Sequence, residues 1–299
     1  MKVSTLGAGA FGRAMAKVAS HGGPSALLGR RGGEGVDKDI AAGLGQTDIV
    51  MLAVPAQATR AALTMWASAM PDSALLVLLA KGLERGTRLR QSEIAAELAP
   101  GRPILALTGP SFAADILDGL PTAVTLATSA ENGETVQRRL AAPGFRPYLT
   151  DDLTGAELGG ALKNVFAIAC GAAVGLGLGE SARAALMTRG FAEMTRLAVA
   201  EGGRADTLAG LSGLGDLALT CATPKSRNFA LGVSLGRGDG RPAGVTQEGA
   251  ETAASALEKA RAAGVDAPIV ESVAALVAGE TTPKVAMNAL LNRPLRRET

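Results

Sequence analysis

One lysine and one asparagine interrupt an apolar segment of the chain. The segment GGALKNVFAIACG, residues 159–171, holds Lys163 and Asn164 side by side among glycine, alanine and larger apolar residues. At helical spacing Lys163 shares a face with Ala167 and Cys170, so its ammonium group is predicted to be buried. Burial lowers the pKa of a lysine towards the range that suits proton transfer. The alternative is that Lys163 extends outward from a helix end to solvent.

Other side chains that could transfer a proton are scarce. The sequence contains one histidine, His21, and one tyrosine, Tyr148. A zinc site with several histidine ligands is therefore excluded, and a Ser-His-Asp triad would have to use His21. A Tyr-x-x-x-Lys pair is absent because Asp152 stands four residues after Tyr148. Proton chemistry in this chain must use lysine, aspartate or glutamate, and we predict no metal site.

A second set of polar residues suits a phosphate group. Asp216 follows the glycine-rich turn GLSGLG, and Ser226, Arg227 and Asn228 stand directly before a helical run. Hydroxyl, guanidinium and amide donors at a helix start, together with its free backbone N–H groups, can form a phosphate site. In the alternative interpretation, Ser226 is an N-cap and Arg227 is a surface charge.

The amino terminus predicts a dinucleotide site. Residues 2–6 are predicted as a strand, GAGAFG follows from Gly7 to Gly12, and a helix-forming run comes next. In this spacing Gly7 makes the tight turn, Gly9 lets the backbone approach a pyrophosphate, and Gly12 allows close packing of helix on strand. The alternative is a tight strand-to-helix turn without a ligand.

Two arginines follow the second predicted strand. SALL, residues 25–28, leads into Gly29, Arg30 and Arg31, about where an NAD-preferring site presents an acidic residue to the ribose. Arginines at this position can pair with a 2′-phosphate. We therefore expect NADP(H) to be preferred, with NAD(H) as the alternative cofactor.

Further apolar runs at α/β spacing complete a sheet. Strands are predicted at residues 48–55, 73–82, 103–111, 122–129 and 145–150. The carboxyl ends of parallel strands line the ligand crevice, which places Lys81 and the turn from Gly109 to Ser111 against cofactor or substrate. Otherwise Lys81 would be a solvated loop cation.

The sequence pattern changes near residue 151. Long helical stretches without strand-like runs occupy the carboxyl-terminal half. We predict an α/β fold with two domains. Residues 1–151 form a Rossmann-type, doubly wound dinucleotide-binding domain with a mostly parallel sheet, and residues 152–299 form an all-helical substrate-binding domain.

Composition narrows the class of function. The chain has 299 residues, 47% of them hydrophobic, and a formal net charge of +2 without blocks of like charge. No feature indicates binding to nucleic acid or to a membrane surface. The amino terminus has the wrong shape for a signal peptide, and the longest apolar run, residues 165–179, is shorter than the roughly 20 residues of a bilayer span. We expect a cytoplasmic protein without integral membrane contact, whose Cys170 and Cys221 are packing residues.

Taken in order along the chain, these motifs resemble a known family. GAGAFG, AVP, AKGLE, TGPSFA, GALKNVFAIACG, MTRGFAEM, GLSGLGDLALTC and SRNFALG occur over nearly the whole length. The chain is similar to the bacterial-type NAD(P)-dependent glycerol-3-phosphate dehydrogenases. The resemblance implies a helical domain like that of 6-phosphogluconate dehydrogenase, a homodimer, and a small-molecule reaction. That reaction interconverts dihydroxyacetone phosphate and sn-glycerol 3-phosphate, the glycerophospholipid precursor.

Roles for individual residues follow from the resemblance and from the patterns above. The lysine of the LKN motif, Lys163, is the expected general acid/base, and Asp216 would hold its ammonium group. Substrate contacts are expected at Lys81, Gly109, Ser111, Lys163, Asn164, Asp216, Ser226, Arg227 and Asn228. Cofactor contacts are expected at Gly7, Gly9, Ala10, Phe11, Gly12, Arg30, Arg31, Lys81, Ala113, Arg227 and Glu248.

The chain departs from the family pattern in three places. Ala10 and Phe11 stand where the family commonly has Ser-Trp, and the VTQEG segment around Glu248 matches loosely. The stretch between Arg31 and Asp48 is much shorter than usual. We expect that part of the adenosine-side strand and helix is missing there.

Two other functions stay open at this point. A β-hydroxyacid dehydrogenase would carry Lys-x-x-x-Asn on its catalytic helix, whereas Ala167 stands four residues after Lys163 here. A regulator that binds NADPH without turnover would keep the glycine turn but would have no use for a buried lysine beside a phosphate site.

Overall fold

The computed structural model describes residues 1–242 and 247–292. Two sequence predictions reach beyond these ranges. Val245 and Thr246 of the VTQEG segment, and residues 293–299 at the end of the predicted helical domain, lie outside the described residues.

Across the described ranges, eight strands form a single sheet in the order β3-β2-β1-β4-β5-β6-β7-β8. The strands are β1 (Val3–Leu6), β2 (Ser25–Leu28), β3 (Val36–Asp37), β4 (Ile49–Leu52), β5 (Leu75–Leu78), β6 (Ile104–Thr108), β7 (Thr122–Ala127) and β8 (Phe145–Thr150). Neighbouring strands are parallel except for β6 and β7, which pair antiparallel. The mostly parallel sheet expected from the sequence is confirmed.

Helices pack against both faces of this sheet. They are α1 (Ala10–His21), α2 (Ile40–Gly45), α3 (Thr59–Trp66), α4 (Gln91–Leu98), α5 (Ala113–Leu117) and α6 (Gly133–Leu140). On one face Met15 of α1 and Val77 of β5 belong to the same core, and on the other face Leu63 of α3 packs with Leu76. Because both faces are covered, the central strands are continuously apolar rather than alternating.

Seven of the strands in the described ranges lie within the segments predicted from the sequence. The exception is β3, whose two residues pair with the end of β2. Together with the six residues of α2, it occupies the short stretch between Arg31 and Asp48. The adenosine-side strand and helix are therefore reduced to these two short elements.

From Leu153 onward the described residues form helices and no strands. These helices are α7 (Leu153–Gly175), α8 (Gly179–Ala200), α9 (Ala205–Ala209), α10 (Asp216–Thr220), α11 (Arg227–Arg237), α12 (Glu248–Ala262), α13 (Pro268–Ala278) and α14 (Pro283–Leu291). The predicted helical second half is confirmed. The boundary after residue 151 stays a prediction: β8 ends at Thr150, and Asp152 caps α7 by accepting a hydrogen bond of 2.8 Å from the Gly155 N–H.

Helix α7 is central in the helical half, and its glycines let α11 approach closely. A Cβ atom on Gly171 would overlap the carbonyl oxygen of Phe229, and one on Gly232 would overlap the carbonyl oxygen of Ile168. Glycine is the residue that permits such close backbone approach. The glycine-rich composition of this segment thus fixes α11 against the helix that carries Lys163.

Helix α7 is also the one helix of the described residues that is long and apolar enough to cross a membrane. It has 23 residues, more than the apolar run in the sequence, and 89% of its most apolar window is buried inside the protein. Burial of this kind is typical of a core helix. Cys170 of α7 and Cys221 are buried free thiols, as expected for packing residues.

Candidate active site

Lys163 lies in the middle of α7, and two side chains hold its ammonium group. Its Nζ donates to Asp216 Oδ1 over 2.6 Å and to Thr220 Oγ1 over 2.8 Å. Lys163 is 8% exposed and Asp216 is 1% exposed, which excludes the alternative of a lysine that extends to solvent. Helix α10 positions both partners, because residues four apart lie on one helix face.

A second lysine shares the same carboxylate. Lys81, just beyond the end of β5, donates to Asp216 Oδ2 over 2.7 Å and to the carbonyl oxygen of Gly109 over 2.8 Å. Its Nζ also lies 3.5 Å from Ser111 Oγ, and that hydroxyl donates to the Gly109 carbonyl over 2.9 Å. The side chain of Lys81 is 12% exposed. Lys81 is therefore a paired, largely buried cation and not a solvated loop residue.

Burial and neighbouring charges shift the pKa values of this cluster. Desolvation lowers the pKa of Lys163 to about 8; the charge of Lys81 acts in the same direction, and the Asp216 carboxylate opposes both. Burial alone would raise the pKa of Asp216, but the ammonium groups of Lys163 and Lys81 hold that pKa below its usual range. At neutral pH Lys163 is thus an ammonium group paired with the Asp216 carboxylate, and it can release a proton near pH 8.

Two buried asparagines connect three helices beside the lysines. Asn164 Oδ1 accepts a hydrogen bond of 2.9 Å from Asn228 Nδ2, and Asn228 Oδ1 accepts one of 3.0 Å from the backbone N–H of Gly249. Asn164 Nδ2 lies 3.4 Å from the carbonyl oxygen of Lys81. These bonds fix α7, α11 and α12 relative to one another, and Asn164 contacts the backbone of Lys81.

The start of α11 carries the residues predicted to hold a phosphate. Ser226 is the N-cap, because its Oγ accepts a hydrogen bond of 3.3 Å from the Phe229 N–H. The capping alternative is thus correct for Ser226, although an accepting hydroxyl can still donate its hydrogen to a ligand. Arg227 is exposed, and no hydrogen bond or ion pair engages its guanidinium within residues 1–242 and 247–292.

Glu248, the first residue of α12, reaches the half of the chain that contains the sheet. Its Oε1 accepts a hydrogen bond of 3.3 Å from the backbone N–H of Ala56, which follows β4. Burial raises the pKa of Glu248, while the Ala56 N–H and the charge of Arg227 act in the opposite direction. The residue predicted from the loosest motif therefore lies where the two halves of the chain meet.

The glycine turn has the shape that a dinucleotide requires. Gly7 has a φ of 122°, and a Cβ atom there would overlap the carbonyl oxygen of Ala53. A Cβ atom on Gly12 would overlap the carbonyl oxygen of Gly7, whereas nothing lies within 4 Å of that position on Gly9. Gly9 precedes α1, whose first turn has no side-chain cap. The turn thus leaves open space at free backbone N–H groups, where a pyrophosphate fits.

A cleft of about 770 Å³ opens beside this turn, a size that suits a cofactor. It is lined by Gly7 and Gly9 on one side and by the exposed Arg30 and Arg31 on another. The cleft therefore joins the predicted pyrophosphate position to the predicted 2′-phosphate position.

The remaining predicted cofactor residues lie around the start of α1. Ala10 is exposed as the first residue of the helix. Phe11 and Ala113, the first residue of α5, both pack against the same apolar core under the sheet. Phe11 thus packs the first turn of α1 against this core.

Thr220 is the member of the lysine cluster that sequence reasoning missed. It is 2% exposed, and its Oγ1 lies 3.3 Å from Asp216 Oδ1 in addition to its bond with Lys163. The available signal was the spacing of four residues between Asp216 and Thr220. That signal requires a helix that begins at Asp216, and α10 follows directly on a π-helical turn, Leu211–Gly215.

No group of three or more His, Cys, Asp or Glu side chains that could hold a metal ion occurs in the part of the chain that the structure describes.

The sheet, the glycine turn and the buried lysine cluster define a class, the NAD(P)-dependent dehydrogenases with a helical second half. Comparison with protein families identifies the member of this class. Residues 35–134 match the amino-terminal part of NAD-dependent glycerol-3-phosphate dehydrogenase, and residues 152–288 match its carboxyl-terminal part. The chain belongs to this family, as the sequence motifs predicted.

Curated relatives and a solved structure support the assignment. The chain is 49% identical over 305 residues to the glycerol-3-phosphate dehydrogenase (NAD(P)+) of Cereibacter sphaeroides, a match covering 99% of this chain and 100% of the relative. It is 45% identical over 326 residues to the enzyme of that name from Caulobacter vibrioides, covering 99% and 98%. The crystal structure of glycerol-3-phosphate dehydrogenase from Coxiella burnetii matches with a TM-score of 0.90 and 31% identity, covering 98% of this chain and 99% of that one.

Proposed function

We propose that this chain interconverts dihydroxyacetone phosphate and sn-glycerol 3-phosphate with NAD(P)H and so supplies the glycerophospholipid backbone. The observation that carries the proposal is the buried cluster in which Lys163 and Lys81 share the carboxylate of Asp216. It provides an acid with a pKa of about 8 in a fold that fits a dinucleotide. The names of the relatives support this choice of substrate.

Lys163 is the proposed general acid/base. Reduction of a ketone adds a hydride to carbon and a proton to oxygen, on which negative charge develops. The nicotinamide supplies the hydride when it is bound. An ammonium group has three N–H donors, and two of those of Lys163 are engaged by Asp216 and Thr220. The third can stabilise the developing charge and deliver its proton, and the neutral amine accepts a proton in the reverse reaction.

Lys81 has a supporting role in this proposal. It adds a second positive charge beside the substrate oxygen and helps to keep the pKa of Lys163 low. Its contacts with Gly109 and Ser111 support a role for the turn after β6 at the reacting end of the substrate. The shared carboxylate of Asp216 keeps both ammonium groups in place through the proton transfer.

The start of α11 is the proposed phosphate site. Arg227 offers a guanidinium that no protein group engages within the described ranges, and such a group binds phosphate bidentately. Ser226 contributes its hydroxyl hydrogen, and Asn228 contributes the second hydrogen of an amide already fixed by Asn164. The phosphate is thus held by groups on one helix and the proton is delivered from another.

The cofactor contacts follow the cleft. Gly7, Gly9 and Gly12 with Ala10 and Phe11 would hold the pyrophosphate end, and Arg30 and Arg31 would favour NADP(H) over NAD(H) by pairing with a 2′-phosphate. Lys81, Ala113, Arg227 and Glu248 would approach the cofactor from the other side. The position of Glu248 against the loop after β4 supports its part in this set.

The remaining expectations concern the whole protein. We propose that it acts in the cytoplasm as a homodimer, without nucleic-acid or integral membrane partners, and that residues 1–151 and 152–299 are its two domains. The burial of α7 inside the protein supports the absence of a membrane span.

The reaction is tested by the loss of NADPH absorbance when dihydroxyacetone phosphate is added to the purified protein. Unphosphorylated dihydroxyacetone and NADH serve as controls. We expect rapid oxidation that requires the phosphate and is faster with NADPH than with NADH. NADPH binding without oxidation would contradict the proposal and identify the regulator. Reduction of NADP+ by a 3-hydroxyacid instead would identify the β-hydroxyacid dehydrogenase.

A further inference from the structure

The loop after β2 is surrounded by cations that no carboxylate neutralises. Arg30 and Arg31 follow β2, Arg13 reaches the loop from α1, and Lys38 follows β3. Within residues 1–242 and 247–292, none of these four side chains forms an ion pair. Guanidinium and ammonium groups that form no ion pair keep N–H donors free for an anion at this loop.

Arg13 contacts this loop directly. Its Nη1 donates to the carbonyl oxygen of Glu34 over 3.0 Å, and its Nη2 lies 3.0 Å from the position of a Cβ atom on Gly33. Arg13 also lines the cofactor cleft together with Arg30 and Arg31. A guanidinium carries five N–H donors, so a single hydrogen bond to the loop leaves most of them free for a ligand in the cleft.

Lys38 approaches the loop from the opposite side. A Cβ atom on Gly32 would overlap the Cε atom of Lys38 and lie 3.0 Å from its Nζ. Gly32 also lines the cleft. The two consecutive glycines, Gly32 and Gly33, thus leave the room that the two cations occupy.

The acidic groups of this region do not occupy the site. Glu34 contacts Arg13 through its backbone carbonyl and not through its carboxylate. The carboxylate of Asp37 accepts a hydrogen bond of 2.9 Å from the backbone N–H of Asp39. The guanidinium of Arg13 therefore stays available to an incoming anion.

We propose that Arg13 determines cofactor specificity, as a third guanidinium that binds the 2′-phosphate of NADP(H) together with Arg30 and Arg31. The inference rests on the proposed function, because it assigns NADP(H) to this cleft. A phosphate monoester carries close to two negative charges and accepts bidentate hydrogen bonds from guanidinium groups.

Arg13 differs from the other two arginines in how firmly it is held. It lies in the first turn of α1, where its backbone N–H donates to the carbonyl oxygen of Gly9 over 2.9 Å, and its side chain is anchored on Glu34. Arg30 and Arg31 lie in an exposed loop. A guanidinium that is already positioned loses less freedom on binding, so Arg13 contributes more to the discrimination between NADPH and NADH.

The test compares cofactor binding in the full chain and in Arg13→Gln. Glutamine removes the charge and keeps a side-chain N–H donor, and its planar amide is the nearest neutral replacement for the guanidinium. Dissociation constants are measured by nucleotide fluorescence for NADPH and NADH, and by competition for 2′-AMP and 5′-ADP. We expect NADPH and 2′-AMP to bind about tenfold to a hundredfold more weakly, as the loss of a hydrogen bond to a charged group implies. NADH and 5′-ADP should change less than about twofold.

Two further variants complete the design. Lys17→Gln is the matched control, because Lys17 is a cation on the same helix whose Nζ donates to the carbonyl of Leu117, away from the cleft. It should leave the ratio of the two cofactor affinities unchanged. Arg13→Lys keeps the charge without the planar fork, and we expect a smaller loss that is again confined to NADPH and 2′-AMP. It also provides the test if Arg13→Gln does not fold.

Three results would overturn the inference. Equal weakening of NADPH and NADH would mean that Arg13 only supports the loop. Weakening of 5′-ADP without 2′-AMP would place Arg13 at the pyrophosphate. Unchanged NADPH binding would show that Arg13 does not contact the cofactor.

None of these measurements requires turnover. A protein that binds NADPH but does not reduce dihydroxyacetone phosphate would therefore contradict the proposed function and leave this inference standing.

Discussion

The cations of the two candidate sites fall into two groups that differ in burial and pairing. Lys163 and Lys81 are buried and share one carboxylate, whereas Arg227, Arg30 and Arg31 are exposed and unpaired within the described ranges. A group that must release a proton needs a tuned pKa, which burial and fixed partners provide. A group that must capture an anion needs free donors instead. The comparison thus separates residues that we expect to control kcat from residues that we expect to control affinity.

The largest effect is expected for Lys163→Ala. Loss of the general acid should lower kcat for dihydroxyacetone phosphate by about a thousandfold or more, given the usual contribution of such groups and the lost charge stabilisation. The NADPH dissociation constant should stay the same, because Lys163 lies in the helical half and not at the glycine turn. Lys284→Ala, at an exposed lysine of α14, is the matched control. Substantial residual turnover would sink the assignment of Lys163.

Asp216→Asn should damage both catalysis and stability. Two ammonium groups would lose their shared anion, so we expect the free energy of unfolding to fall by roughly 3–5 kcal/mol and kcat to fall by about a hundredfold. The pKa of Lys163 should drop below about 8, since Asp216 is the charge that raises it. Thermal unfolding and the pH profile of kcat measure the two effects. An unchanged pH profile would show that Asp216 does not act through Lys163.

Arg227→Ala tests the exposed group. We expect Arg227 to bind the phosphate equally in the ground state and in the transition state. Its loss should therefore raise KM for dihydroxyacetone phosphate by about tenfold to a hundredfold, with a smaller change in kcat. Arg237→Ala, at the exposed opposite end of the same helix, should leave KM unchanged. A large loss of kcat at constant KM in Arg227→Ala would break the division between the two groups of cations.

The smallest of the mutational effects is expected for Thr220→Val. The substitution removes one hydrogen bond to Lys163 Nζ, and we expect about a tenfold lower kcat, equivalent to roughly 1.4 kcal/mol, with little change in KM. Thr220→Ser restores the hydroxyl and should recover most of the rate. A loss of rate in Thr220→Ser without a loss in Thr220→Val would show that the packing of the methyl group, and not the hydrogen bond, is important.

The sequence allowed a large part of this account to be predicted. The apolar helix around Lys163 and the glycine spacing from Gly7 to Gly12 are local patterns, because each depends on residues within a few positions of one another. They predicted a buried lysine and a tight turn, and the structure has both. Seven strands were predicted for the same reason.

The contacts that were missed depend on residues far apart in the chain. The bridge from Lys81 to Asp216 spans 135 positions, and no local pattern shows that two lysines share one carboxylate. Thr220 was missed because its helix begins after an irregular π-helical turn. The strand β3 has two residues and forms only by pairing with β2, so its propensity alone was too weak to indicate it.

The pH dependence of turnover tests the central claim most directly. Ketone reduction requires protonated Lys163, so its kcat should be constant below about pH 8 and fall roughly tenfold per pH unit above it. Oxidation of sn-glycerol 3-phosphate requires the neutral amine and should rise through the same pKa. A reduction rate that falls and an oxidation rate that rises around the same pKa near 8 would support Lys163 as the proton donor and acceptor. Profiles that stay flat through pH 8 in both directions would contradict it.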